Sequence, residues 1–196
     1  MVKTILIMYI TMMPVILAGI SNMIVVKRKW FKKRATPIDN GKALKDGKRV
    51  FGSNKTWLGF WTMVGCSIIT HIVWGLLCKH FEGLQDRNQL YLYYGNTLLY
   101  NAIVGAVMGI AYMVFELPNS FIKRRLDIAD GKTEKGLKGK LFFVIDQLDS
   151  MFGVILVLAV VSKISFWQYI NYVLLGGLTH ICVNLVLYKL KIRRNL

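Results

Sequence analysis

Asp146 and Asp149 are the only acidic residues inside an otherwise apolar stretch, the run Val144-Ile145-Asp146-Gln147-Leu148-Asp149-Ser150-Met151. On a helix this three-residue spacing puts both carboxylates on one face, where they can share a cation. A carboxylate near the middle of a membrane helix costs roughly 2.5 to 3.5 kcal/mol, so such a pair calls for metal, cationic side chains or water. Hard carboxylate oxygens, with phosphates completing the shell, suit Mg²⁺. The plainer alternative is a structural pair with a loop cation such as Lys140.

Three further groups carry chemistry. The run Arg49-Val50-Phe51-Gly52-Ser53-Asn54-Lys55-Thr56-Trp57 ends where an apolar span begins, offering a phosphate backbone N–H groups, an ammonium and a hydroxyl. Its glycine spacing is not that of a Walker A loop, and Lys and Trp anchoring a helix end is the bland reading. Glu116, followed by Ser120 and the cations Lys123, Arg124 and Arg125, can face a metal while the cations meet a triphosphate. A topology-setting basic cluster is the alternative there. His180, Asn184 and Tyr188 recur at four-residue steps as a polar stripe, and Asn22 is a similar isolated polar residue in the first span. His71 and His80 have no companions.

The elements that must position these groups are membrane spans. The chain of 196 residues is 55% hydrophobic, with a mean hydropathy of +0.45, too apolar for an ordinary soluble domain. Apolar stretches near 4–26, 57–78, 91–115, 142–162 and 167–188 each approach the length a bilayer requires. An all-α polytopic bundle of about five transmembrane helices follows, one integral-membrane domain over residues 1–196. The segment 27–55 carries eleven Lys or Arg against two acids, 116–140 seven against four, and the tail from 189 four against none. Segments 79–90 and 163–166 hold two and one basic residues. The positive-inside rule then places the N-terminus outside and two long basic loops in the cytoplasm. Turn signals at Asp39-Asn40-Gly41, Asp46-Gly47 and Asp130-Gly131 keep those loops irregular.

Composition also excludes readings. A net charge of +16 would suggest nucleic acid in a soluble protein, but basic residues crowded into loops fit anionic lipid headgroups instead. Cys66, Cys78 and Cys182 match no metal or redox spacing. The first span is too long, with a dense basic cluster after it, for a cleaved signal peptide. No inverted repeat of the transporter kind is present. The Lys55 turn, the Lys123 cluster, the acidic pair and the His180 stripe all fall on one membrane face. Cations beside a carboxylate-bound metal at a lipid interface are the parts for phosphoryl or nucleotidyl transfer.

An ordered set of residues across nearly the whole chain resembles the CTP-dependent lipid cytidylyltransferases. The resemblance is closest to the short CDP-archaeol synthase group and more distant to CDP-diacylglycerol synthase. The set comprises Asn22, Pro37-Ile38-Asp39 with Gly41, Arg49 with Phe51-Gly52, Lys55-Thr56-Trp57 with Gly59, Ser120 with Lys123-Arg124-Arg125, Asp146-Gln147-Leu148-Asp149, and His180 with Asn184 and Tyr188. Phe115-Glu116 stands where the family usually has Gly-Asp, and Pro118 also departs from its pattern. The resemblance implies conversion of CTP and a lipid phosphate to a CDP-lipid and pyrophosphate. Asp146, Asp149 and Glu116 would hold Mg²⁺, while Lys55, Lys123, Arg124 and Arg49 bind the triphosphate with help from Ser120, Thr56 and Asn22. Implied partners are CTP, a lipid phosphate, membrane lipids and a second copy of the chain, with the active site facing the cytoplasm. A non-enzymatic scaffold or small transporter is the alternative from another class.

Overall fold

The computed structural model describes residues 2–26, 35–130 and 136–190. Five helices are long and apolar enough to cross a membrane: α1 Val2–Val26, α2 Trp57–His80, α3 Leu98–Arg125, α4 Gly136–Ser162 and α5 Phe166–Lys189. Only 28% to 39% of the most apolar window of each is buried within the bundle. Most apolar side chains therefore face outward, as a protein solvated by lipid requires. The chain is a multi-pass membrane protein. Among the described residues there is no strand, only the isolated bridges Pro37–Thr56 and Ala43–Arg49 inside the first basic loop.

Three span boundaries differ from the sequence expectation. Tyr91 to Tyr94 do not open the third span: a 3₁₀ turn covers Gln89–Tyr91, and the helix starts only after Thr97, whose hydroxyl accepts the Tyr100 N–H at 3.1 Å. At its other end α3 runs through Pro118 to Arg125, so Glu116 to Arg125 form a helix end rather than the start of a loop. Helix α4 begins at Gly136, ahead of the apolar run, which puts Asp146 about three turns in. The basic stretch 27–34, the tail from 191 and Gly131 of the expected Asp130-Gly131 turn lie outside the described residues.

Neighbours in sequence pack as neighbours in space, α1 on α2, α2 on α3, α3 on α4 and α4 on α5, while α1 and α5 meet only briefly. Helices α2 and α3 approach closely where α3 presents glycine. A Cβ on Gly105 would lie 2.8 Å from the Ser67 carbonyl oxygen, and one on Gly109 2.8 Å from the Val64 Cα. Small residues at such crossings are how membrane helices gain contact without a hydrophobic drive between them.

At the end formed by His80, Leu98 and Ser162, the 81–97 segment is stitched into the bundle by buried polar side chains. Asn101 donates to Asn96 at 2.7 Å, Asn96 to the Gly75 carbonyl at 2.8 Å, and Tyr172 to Gln89 at 2.6 Å. The other end carries the two basic loops.

Candidate active site

The first basic loop is shaped by two aspartate turns. Asp39 accepts the Gly41 N–H and Asp46 the Lys48 N–H, each at 3.0 Å. Asn40, Gly41 and Gly47 adopt the left-handed conformations, φ 50°, 76° and 75°, that such turns need. Asp39 also accepts the Phe51 N–H at 3.0 Å and pairs with the Arg49 guanidinium at 2.5 Å. Burial pushes its pKa up, but the hydrogen bonds from Arg49, Phe51 and Gly41 outweigh that and hold the carboxyl below its ordinary 3.8.

The loop is then tied to the C-terminal end of α3. Ser120 accepts the Gly52 N–H at 3.0 Å, and Asp130 accepts the Ser53 N–H at 2.7 Å while pairing with Arg124. Burial raises the Asp130 pKa, yet Ser53, Arg124 and Arg49 lower it further than burial lifts it. Arg125 pairs with Asp46 at 2.6 Å, and Lys48 with Asp127 at 2.7 Å. A Cβ on Gly52 would sit 2.5 Å from Asn54 Oδ1 and 2.7 Å from Asp130 Oδ1, so the backbone passes where a side chain cannot.

Lys55 follows directly, and its ammonium is ion-paired with Glu116. Burial disfavours the ammonium, but Glu116, then Asp149 and Asp146, more than compensate and hold its pKa above the ordinary lysine value. All three candidate metal carboxylates thus act on one cation. Lys123 sits 2.5 Å from each oxygen of Asp146, and Asn119 donates to Asp146 at 2.6 Å and to Asp149 at 2.7 Å. The partner of Asp146 is therefore Lys123, reached from α3, not the exposed Lys140.

Lys55, Glu116, Ser120, Lys123, Asp146 and Asp149 are brought together. Glu116 turns to Lys55, and among the described residues no group of three or more His, Cys, Asp or Glu is placed to hold a metal. Arg49 and Arg124 border the cluster, each held by its own aspartate. Thr56 caps α2 by accepting the Gly59 N–H at 3.1 Å. Asn22 makes no described hydrogen bond to the cluster, and its Oδ1 is buried without a partner. Of the α5 stripe, Asn184 donates to Gln147 Oε1 at 2.8 Å and the His180 ring lies 3.4 Å from the Gln147 carbonyl, whereas Tyr188 is exposed. Asn119 is the contributor that sequence reasoning did not single out, while Gln147 and Asp130 entered it only within a motif and as a turn signal.

An apolar groove opens beside the site, where α1 and α5 separate. Met12, Ile16 and Met23 of α1 line it with Met151 of α4 and Val183 of α5, and His180 is part of its wall.

Comparison with known proteins bears on the family and the fold. The family model of CarS-like CDP-archaeol synthases matches residues 1–195. The CDP-archaeol synthase of Sulfurisphaera tokodaii is 33% identical over 165 residues, covering 83% of this chain and 82% of the relative. That of Methanocaldococcus jannaschii is 29% identical over 160 residues, covering 81% of each. A solved intramembrane enzyme of archaeal membrane lipid biosynthesis shares the fold, with a TM-score of 0.63, 20% identity, and coverage of 90% of this chain and 92% of that one. With nearly every residue matched by one family model, the chain belongs to the CDP-archaeol synthase family.

Proposed function

We propose that this protein is a CTP-dependent lipid cytidylyltransferase whose acceptor is an isoprenoid-ether lipid phosphate and whose site faces the cytoplasm. The observation that carries the reading is the juxtaposition of two cations, Lys55 and Lys123, with three carboxylates, near an apolar groove whose wall includes Met151, two residues beyond Asp149. Soluble nucleotide chemistry needs the charges, and a lipid substrate needs the groove. The positive-inside count supports the cytoplasmic orientation. A scaffold needs no such charge cluster, and a transporter would hold its polar groups near the midplane between repeats.

In the reaction a phosphate oxygen of the lipid forms a bond to the α-phosphorus of CTP. The bond from that phosphorus to the bridging oxygen breaks, and pyrophosphate leaves. The acceptor is already ionised, so no general base is required. Lys55 and Lys123 neutralise the triphosphate, and the Ser120-held Gly52 turn and the Arg49 and Arg124 side chains frame it. The chain positions the two reacting phosphates, which is most of what such a transfer asks of a protein. Lipid chains in the α1/α5 groove bring the headgroup to the His180 end, beside Gln147.

The donor set fits a hard divalent cation: Asp146 and Asp149 converge on one amide, and their oxygens are the type Mg²⁺ prefers. Bound there, Mg²⁺ supplies charge neutralisation at the transferring phosphates. Asp146 and Asp149 would hold the ion, with Glu116, here paired with Lys55, as the further carboxylate of the set. The test is incubation of purified protein with labelled CTP, Mg²⁺ and lipid phosphates. Labelled CDP-lipid made faster from isoprenoid-ether than from diacyl phosphate supports the reading.

A further inference from the structure

Asn119 lies on α3 one turn before Lys123 and reaches across to α4. Its Nδ2 donates to Asp146 Oδ1 at 2.6 Å and to Asp149 Oδ2 at 2.7 Å. The residue is 7% exposed, and its Oδ1 is buried without a hydrogen-bond partner. The reversed amide would set that oxygen against two carboxylates, so the hydrogen bonds fix the orientation. An amide is also neutral. It can bridge two carboxylates and fix their separation while leaving their charge undiminished for a cation, which a lysine at the same place would not do.

We propose that Asn119 is a positioning residue that sets the spacing of Asp146 and Asp149 for a divalent cation. The proposal rests on the reading of those carboxylates as metal ligands. Outer residues that orient ligands in this way carry about 10-fold to 100-fold of metal affinity.

The probe is Mn²⁺ alone, titrated by electron paramagnetic resonance into the purified full chain without CTP or lipid. Asn119→Ala should weaken Mn²⁺ binding by about 10-fold or more. The KM for CTP at saturating Mg²⁺ should change less than about threefold, with turnover returning as metal is raised. Asn119→Ser, which keeps one donor, should fall between Asn119→Ala and the parent protein, and it decides the matter where Asn119→Ala does not fold. Unchanged Mn²⁺ affinity in the folded variants, with binding lost in Asp149→Asn, overturns the role of Asn119 alone. Absence of Mn²⁺ binding in the parent protein overturns the metal reading and this proposal with it.

Discussion

The Lys123 ammonium sits 2.5 Å from both oxygens of Asp146, so a cation suited to a triphosphate and a carboxylate suited to a metal hold one another. Lys55 and Glu116 repeat the relationship, with Glu116 about two turns before Lys123 on α3. Each of the two pairs is neutral by itself, and in the proposed reaction a metal-nucleotide would exchange partners with them instead of exposing bare charge to a low-dielectric site. Lys123→Ala should therefore lower kcat/KM for CTP by about 10²-fold to 10³-fold. Asn119 still satisfies Asp146, so the folded yield should hold. Steady-state kinetics beside a thermal melt separate the two effects.

The Lys55–Glu116 pair is more deeply placed, with side-chain exposures of 18% and 17%. Removing one partner of such a pair leaves an uncompensated charge and costs about 3–5 kcal/mol. Lys55→Met alone should thus depress the melting temperature. Lys55→Met with Glu116→Met should restore much of it while activity stays lost. Recovery of activity in the double variant would remove Lys55 from the nucleotide site.

Gly52→Ala should push the first loop away from Asp130, because its Cβ would meet Asp130 Oδ1 at 2.7 Å and Asn54 Oδ1 at 2.5 Å. The expected result is a KM for CTP raised at least about tenfold, with little change in KM for the lipid. An unchanged KM for CTP would mean that the Gly52 turn does not frame the nucleotide.

Asp39 gives an acid-side signature. Its carboxyl ionises more readily in the folded loop than at the ordinary 3.8. Its stabilising contribution is complete above that value, declines as pH falls below it and is gone once pH has fallen through the folded pKa. Exchange protection of the Gly41 and Phe51 amides should fade in that window. Asp39→Asn should exchange faster already at neutral pH, without the acid-side step.

Filling the groove should strike one substrate only. Ile16→Trp places a large ring in the α1 wall, so KM for the lipid phosphate should rise about tenfold or more while KM for CTP stays within about twofold. Equal effects on both would argue against the groove as the lipid site.

The five spans were legible because a bilayer core demands about 20 apolar residues, whatever their order. Their ends were not. Pro118 and the charged residues around it do not prevent a helix from continuing beyond the apolar zone, so α3 outruns its hydropathy to Arg125. Tyr91 to Tyr94 count as apolar yet lie outside the helix, since the Thr97 cap decides where α3 starts. In the site, like-face spacing identified Asp146 with Asp149, and the cations were visible as charge. Asn119 carried no such mark, because only the docking of α3 on α4 gives its amide two carboxylates. The α5 stripe was half right for a geometric reason. Each four-residue step drifts about 40° around a helix, so Tyr188 has turned about 80° from His180 and leaves the face that meets Gln147.

The most direct measurement is product formation from labelled CTP and an isoprenoid-ether lipid phosphate, with Mg²⁺, by the purified protein and by Asp146→Asn. The account predicts metal-dependent labelled CDP-lipid and pyrophosphate from the parent, and at least about 10²-fold less from a folded Asp146→Asn. Full metal-dependent turnover by Asp146→Asn would contradict the site described at the α3/α4 junction.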